Sequence, residues 1–481
     1  MLIKNIYIRM GSSFLRGSLS IVSSILIVRT LGVEVIGKIA YYYGLVGMLT
    51  IFSDLGTEVA YKKFLSADKP HKQDIAGYIF LKLSLLILFC LIACIAYVLF
   101  YQYPSIDKAL IFIAFSITLI ELSSQFFSNT LSGCRDFVYL SKIEVSASIL
   151  LFIYNVIICL LFPNIYLLAL NMGILPLCLI IAGSYYCIQR KLFFFERPKK
   201  TVLIKYFRYS YPILTSSIIG VFISHFEKVI LGRLIGMKEL GFYRLALGIF
   251  SGFDMIIKPI TNTLFTELSY RVNQSVDFMK KKFCDLIQTL NMMGAILILF
   301  LLFFSKPIVM TFYGSENIRT AVILQFFSLA IISRLFWRPY RHILYAVEAH
   351  HPLAYLSVID LALRLGLYYL LIPLTFKGFF IGAAAIPVIE FILWILPSGV
   401  YNLIALIKRF ENIHIIGVLS KVWLPLLIFS CVAFLFNFSL YIFPLLFILF
   451  LVMEYYLGII TIERWNNIIL PIRDLFHYSK G

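Results

Sequence analysis

Three arginines recur at helical spacing within an apolar segment of the chain. Arg334, Arg338 and Arg341 are four and three residues apart, with no acidic residue between them. At about 100° per residue they share one stripe of a helix. Because a guanidinium binds phosphate oxygens in a bidentate manner, the stripe predicts a site for a phosphate-bearing anion if it faces a hydrated cavity. The alternative is that the segment ends near residue 336 and the arginines form a cytoplasmic flank.

Other ionisable residues also lie within apolar segments, where a charge at the bilayer centre costs at least about 2.5–3.5 kcal/mol. Such side chains usually face an internal cavity or pair with one another. We interpret three more cations as substrate-binding groups, although Arg16 could instead snorkel to the membrane surface: Arg16, Lys228 and Arg364. We interpret five acids as ion-coupling or gating groups: Glu227, Asp54, Glu58, Glu121 and Asp360.

Structural pairing competes with these interpretations. Asp360 and Arg364 are four residues apart, as are Asp254 and Lys258, and this spacing suits ion pairs on one helix face. The lone acids, Glu390 included, could equally pair with cavity arginines or with Lys82. The sequence leaves these alternatives open.

Motifs for metal, nucleotide or nucleophilic chemistry do not occur. The eight cysteines and seven histidines show no metal-ligand spacing, and no GxxxxGK[ST] phosphate loop is present. We therefore predict no catalytic residue, no metal and no cofactor, apart from a possible coupling H⁺ or Na⁺.

The elements that must position these residues are apolar helices. The chain is 61% hydrophobic and 14% charged, whereas soluble proteins are about one quarter charged. A membrane-spanning helix needs about 20 apolar residues, and the chain supplies fourteen such segments. They cover residues 12–31, 36–59, 75–100, 108–132, 141–162, 164–188, 210–231, 239–264, 284–304, 320–346, 353–374, 379–402, 421–437 and 440–460.

The basic residues predict the orientation in the membrane. With a cytoplasmic N-terminus, cytoplasmic connectors hold 25 Lys and Arg residues and external connectors hold 8. This excess follows the positive-inside rule and predicts that both termini are cytoplasmic. The net charge of +18 therefore reflects membrane topology, and we expect no nucleic-acid partner.

An internal repeat divides the chain. The pattern R-x-[L/I]-G-x-x-x-[I/L]-G occurs at Arg29–Gly37 and again at Arg233–Gly241, offset by 204 residues. Each copy falls in the first hairpin of a six-span block, where glycine permits a tight turn. Because six is an even number of spans, both blocks enter the membrane from the same side. They are therefore parallel repeats, related by an axis along the membrane normal. We predict a six-helix bundle at 1–204, a second at 205–410, and two additional helices with a cytoplasmic tail at 411–481.

Four features resemble a known family of membrane proteins. They are the opening Gly11-Ser12-Ser13-Phe14 with Arg29-Thr30-Leu31-Gly32, the sequence Asp54-Leu55-Gly56, the stretch from Glu227 to Ala246, and the division of fourteen spans into six, six and two. Together they resemble the polysaccharide-transporter branch of the multidrug/oligosaccharidyl-lipid/polysaccharide (MOP) exporter superfamily, particularly Wzx-type O-antigen flippases. The resemblance implies a V-shaped cavity between two bundles and export of undecaprenyl-diphosphate-linked oligosaccharide for lipopolysaccharide or another surface glycan.

The resemblance also implies a location and partners. The location is the bacterial inner membrane, and the partners are the lipid-linked substrate and other glycan-assembly proteins, such as a polymerase or chain-length regulator. Two alternatives stay open. A cation-coupled multidrug exporter of the same fold would need an acidic cavity. A membrane glycan polymerase would need a large external loop, whereas the longest predicted external connector is only 305–319.

Overall fold

The computed structural model describes most of the chain. The described residues are 2–53, 55–65, 72–104, 106–134, 136–192, 197–252, 276–346, 351–376, 379–393 and 443–456. The predicted segment 421–437 lies outside them, and each other predicted segment coincides with at least one helix.

Helices form the first part of the chain. Their bounds are α1 Leu2–Leu31, α2 Val33–Leu49, α3 Thr57–Leu65, α4 Lys72–Tyr101, α5 Lys108–Gly133, α6 Phe137–Leu161, α7 Ile165–Ala169 and α8 Ile174–Gln189. The prediction of one continuous span over 36–59 is wrong. A 3-10 turn, Thr50–Ser53, follows α2, and Gly56 has a φ of 78°, a conformation that ends helical continuity.

The second part is also helical. Its elements are α9 Lys200–Ile235, α10 at 237–252, α11 Val276–Tyr313, α12 Ile318–Ala346, α13 His351–Leu371, α14 Ala385–Leu393 and α15 Phe443–Tyr456. Since α11 extends to Tyr313, the predicted external connector 305–319 is largely helical. Two short strands, β1 Thr375–Phe376 and β2 Phe379–Phe380, pair antiparallel, with Thr375 opposite Phe380.

Local sequence explains where several helices begin. The Asp107 carboxylate accepts hydrogen bonds from the backbone N–H groups of Ala109 and Leu110, and Asp136 accepts one from Tyr139. These caps satisfy N–H groups that lack partners within the helix. Seven helical segments of the described chain are long and apolar enough to cross a membrane.

The chain divides into two compact units. The first comprises Met1–Met255, Phe312–Thr320 and His351–Ile386, and the second comprises Ile256–Thr311, Ala321–His350 and Pro387–Gly481. The first contains apolar clusters around Phe89 and around the stacked rings of Tyr61 and Tyr78, whose centroids are 3.9 Å apart. In the second, the rings of Phe304 and Phe443 pack edge to face at 4.8 Å. The predicted boundaries at residues 204 and 410 stay a prediction.

The two copies of the sequence repeat adopt matching turns and touch each other. Gly32 and Gly236 occupy equivalent positions, with φ values of 82° and 93°, which confirms the predicted glycine turns. Five residues further on, a Cβ on Gly37 would overlap the carbonyl group of Met237, and a Cβ on Gly241 would overlap that of Val33. Since Val33 and Met237 are themselves 204 residues apart, the contact is reciprocal. Within the first unit, the hairpins therefore approach to backbone contact through their glycines.

Candidate functional site: a cationic cavity in the first unit

A cavity of about 450 Å³ lies within the first unit. Residues of α1, α2, α6, α8, α10 and the 165–173 turn line it, and they include Arg16, Arg244 and a set of serine and asparagine side chains. The lining contains no Asp or Glu among the residues that the structure describes. The cavity therefore combines largely apolar walls with serine and asparagine side chains and two guanidinium groups.

Arg16 reaches the cavity from α1 and is held by an acid of α6. Its Nη1 lies 2.6 Å from Glu144 Oε2, which also accepts a hydrogen bond from Arg9 Nη1 at 2.9 Å. One carboxylate thus faces two guanidiniums, which leaves one excess positive charge. Because the ion pair fixes the Arg16 side chain while guanidinium N–H groups remain, Arg16 can also bind an anion.

Arg244 enters the same cavity from α10 without a counter-ion. It lines the cavity, and it makes no hydrogen bond or ion pair within the part of the chain described here. A guanidinium that lacks a protein partner inside a membrane protein needs water or an anion. Sequence reasoning missed this residue, although it lies in the stretch Gly241–Ala246 that carries the family resemblance.

Glu227, Arg364 and Asp360 are brought together in a separate network. Arg364 Nη1 lies 3.6 Å from Glu227 Oε1, and Arg364 Nε lies 3.2 Å from Asp360 Oδ2. The second contact confirms the Asp360–Arg364 pairing expected from the spacing. Tyr368 and Tyr243 donate hydrogen bonds to the two oxygens of Glu227, at 2.6 and 3.1 Å. The described contacts make Arg364 a counter-ion of two acids, and its role as a substrate-binding cation stays a prediction. The ion-coupling or gating role of Glu227 and Asp360 stays a prediction.

Glu58 pairs with a buried lysine. Lys82 Nζ lies 3.3 Å from Glu58 Oε1 and donates a hydrogen bond of 2.7 Å to Gln125 Oε1. The Lys82 side chain is 3% exposed and that of Glu58 is 17% exposed. The structure therefore supports the alternative in which Glu58 pairs with Lys82.

Replacing Lys82 with methionine is expected to destabilise the protein by about 3–5 kcal/mol, because it removes the cation from an ion pair whose two side chains are largely buried. The measurement is thermal unfolding of the detergent-purified protein. The double variant K82M/E58Q removes both charges and should recover most of the lost stability. A double variant no more stable than K82M would contradict an ion-pair role for Lys82.

The arginine stripe lies on a continuous helix. α12 runs from Ile318 to Ala346, so the helix does not end near residue 336. Glu390 of α14 lies 3.2 Å from Arg334 Nε, and the structure therefore supports the alternative in which this acid pairs with an arginine of the stripe. Glu390 is distant from Arg334 in the sequence, so residue spacing within one helix cannot predict this pair. The side chains of Arg338 and Arg341 lie outside the described part of the structure, and their anion-binding role stays a prediction.

Of the remaining predicted residues, Lys228 and Glu121 lie in the described part of the structure. Lys228 lies at the contact between α9 and α2, 3.5 Å from His225 Nδ1. Glu121 is exposed on α5, and its carboxylate has no hydrogen-bond or ion-pair partner in the described chain. Asp54 and the pair at 254 and 258 lie outside the described residues.

The structure offers little for metal or thiol chemistry in its described portion. No three His, Cys, Asp or Glu side chains there lie close enough together to hold a metal ion. Burial raises the pKa of the Cys134 thiol, which lies between α5 and α6, so its nucleophilic thiolate form is disfavoured. The expected absence of metals and cofactors stays a prediction.

Solved transporter structures share this fold. A multidrug resistance MATE family transporter of the MOP superfamily, inward-facing, is 15% identical, with a TM-score of 0.62 over 82% of this chain and 96% of that one. The lipid II flippase MurJ, inward closed, is 14% identical, with a TM-score of 0.64 over 97% and 98%. An outward-facing MATE transporter is 13% identical, with a TM-score of 0.55 over 85% and 97%. No curated protein matches the chain in sequence.

These likenesses and the helical architecture define the class. The protein is a multi-pass membrane protein, helical apart from two short strands in its described part, with the fold of MOP superfamily transporters, as predicted. The model of the polysaccharide biosynthesis protein family matches residues 2–265. The chain belongs to that family.

Proposed function

We propose that the protein flips an undecaprenyl-diphosphate-linked oligosaccharide from the cytoplasmic to the outer leaflet by alternating access. The observation that carries the proposal is the cavity of the first unit, which has Arg16 and Arg244 in its lining and neither Asp nor Glu among the described lining residues. Charge-assisted hydrogen bonds from guanidinium to phosphate are among the strongest in proteins. The diphosphate is the part of the substrate that such a cavity recognises.

Family membership and fold support the same substrate class. The family is described as polysaccharide biosynthesis, and one solved structure of the same fold is named a lipid II flippase. In this scheme the sugars pass through the hydrated interior while the polyprenyl tail remains in lipid. The protein moves its substrate without changing it chemically.

The membrane potential can contribute to the direction of transport. A diphosphate that carries two negative charges is driven outward by an inside-negative potential. At roughly 2.3 kcal/mol per charge per 100 mV, a potential of about 100 mV contributes about 4–5 kcal/mol to the outward movement of the two charges. Coupling to H⁺ or Na⁺ remains part of the proposal, with Glu227, Asp360 and Glu121 as the candidate acids.

The location and orientation follow from the same proposal. We place the protein in the bacterial inner membrane with both termini in the cytoplasm, because basic residues are concentrated in the connectors on that side. A polymerase and a chain-length regulator for O-antigen or another lipopolysaccharide-type glycan are the proposed partners.

The multidrug-exporter alternative is less well supported. A cationic drug needs acidic groups in the cavity, whereas the described lining contains two arginines and neither Asp nor Glu. A strain that lacks the protein should therefore keep its resistance to cationic drugs. Increased drug sensitivity without any change in surface glycan would favour the alternative.

Transport by the purified full-length chain tests the proposal directly. In proteoliposomes with a fluorescent undecaprenyl-diphosphate oligosaccharide in both leaflets, we expect transfer between leaflets that protein-free liposomes lack. The readout is the fraction of fluorophore that a membrane-impermeant quencher reaches over time. Transfer no faster than in protein-free liposomes, from protein that is folded and inserted, would contradict the proposed function.

A further inference from the structure

Polar groups other than Arg244 also lack hydrogen-bond partners in the cavity, within the described chain. Ser23 of α1 is 3% exposed and lines the cavity, and its hydroxyl makes no hydrogen bond to any described group. Most buried hydroxyl groups in proteins have a partner. Ser20, one helical turn earlier and also in the lining, has no side-chain hydrogen bond within the described chain either. α1 therefore presents two available hydroxyl groups to the cavity.

Two asparagines complete this surface. Asn171 Nδ2 donates a hydrogen bond of 3.0 Å to Asn155 Oδ1, and Asn155 is 1% exposed. Both residues line the cavity, and this is the only side-chain hydrogen bond that either makes within the described chain. The pair leaves the Asn155 amide N–H₂ as a donor and the Asn171 carbonyl oxygen as an acceptor. We call Ser20, Ser23, Asn155 and Asn171 the amide–hydroxyl surface.

We infer that the amide–hydroxyl surface recognises the sugar attached directly to the diphosphate. The inference rests on the proposed function, because it assumes that the diphosphate lies against Arg16 and Arg244 in the same cavity. Sugar hydroxyl groups both donate and accept hydrogen bonds, which matches the mixture of donors and acceptors on this surface. A phosphate oxygen only accepts, and a polyprenyl chain does neither.

The size of the cavity limits what can bind. Sites of about 300–1,000 Å³ hold molecules of drug size, and this cavity of about 450 Å³ lies at the lower end. It therefore accommodates a diphosphate with one sugar, and further sugars would extend beyond its lining residues. The protein accordingly selects its substrate at the reducing-end sugar and tolerates variation in the sugars beyond it.

A binding experiment on the detergent-purified, full-length protein tests this inference. The ligands are inorganic pyrophosphate, farnesyl diphosphate, and farnesyl diphosphate that carries glucose, galactose or the N-acetylamino form of either. We expect at least one sugar-bearing ligand to bind about tenfold more tightly than farnesyl diphosphate, since two or more neutral hydrogen bonds are added. Microscale thermophoresis supplies the dissociation constants.

Variants of the surface separate sugar recognition from phosphate binding. N171L and S23A should each reduce the preference for the sugar-bearing ligand by about threefold or more, with unchanged affinity for farnesyl diphosphate. S23A removes a hydroxyl that has no partner, so we expect it to fold normally. The control is S18A on the same helix, because the Ser18 hydroxyl bonds to Phe14 O and does not line the cavity.

The outcomes distinguish the inference from the proposed function. Equal binding of farnesyl diphosphate with and without sugar would overturn sugar recognition and leave the diphosphate site intact. Binding of none of the diphosphates would overturn the proposed function as well. The same sugars on uridine diphosphate test the source of the ligand. Tighter binding of the nucleotide sugars than of the farnesyl ligands would support a sugar-recognising surface and overturn its assignment to a lipid-linked substrate.

Discussion

Replacing Arg244 with methionine is expected to raise the thermal stability of the protein while abolishing surface-glycan display. The guanidinium lines the cavity without a partner in the described chain, so its charge destabilises the protein when no substrate is bound. Its removal should raise Tm by about 2 °C or more. The diphosphate loses a charged hydrogen-bond donor, which should reduce display about 30-fold or more.

The measurements are Tm of the purified protein and glycan display per cell in a deletion strain complemented with each variant. Membrane abundance is determined in parallel by immunoblotting. R244K keeps the charge but not the bidentate geometry and should retain partial display. R197M, at an exposed position in a connector, should change neither quantity. A fall in Tm for R244M would indicate that Arg244 stabilises the fold and would remove it from the proposed substrate site.

Replacing Gly37 with alanine is expected to force the two repeat hairpins apart. The added Cβ would overlap the carbonyl group of Met237 and approach Gly241 N, and backbone atoms cannot move aside as a flexible side chain can. Overpacking of this kind costs about 1–3 kcal/mol, which reduces the population with paired hairpins by about 5- to 150-fold. Hydrogen exchange at residues 30–40 and 234–244 should become faster, and transport in proteoliposomes should fall.

Gly220 provides the matched control. It lies within α9, and a Cβ there would meet no atom within 4 Å. Because alanine is favoured over glycine in a helix by about 0.5–1 kcal/mol, G220A should be neutral or stabilising. If G37A and G220A behaved alike, the hairpin contact would not control the conformation.

Hydropathy predicts most of the helices because each apolar segment is a local property of the sequence. The glycine turns of the repeat were also predictable, since Gly32 and Gly236 occupy the same place in two copies of one pattern. The break in the predicted second span was missed. The apolar composition continues across Thr50–Ser53, whereas the backbone conformation at Gly56 does not continue the helix.

The candidate site was only partly predictable because its partners are distant in sequence. The Asp360–Arg364 pair follows from spacing on a single helix. The pairs Arg334–Glu390 and Lys82–Glu58 join separate helices, 56 and 24 residues apart, and only the fold brings them together. For the same reason, Arg244 is distinguished from other arginines in apolar segments by its surroundings and not by any pattern of its neighbours.

The repeat that shapes the hairpins does not extend to the two cavity arginines. At the offset of 204 residues, Arg16 corresponds to Gly220 and Arg244 corresponds to Ala40. The duplicated scaffold kept its glycines at the contact, whereas each cavity arginine is present in one copy alone. A site with this uneven distribution of charge has no two-fold symmetry of its own. Under the proposed function, a substrate with a charged end and a neutral end would therefore enter it in one orientation, with its direction of travel defined from the moment of binding.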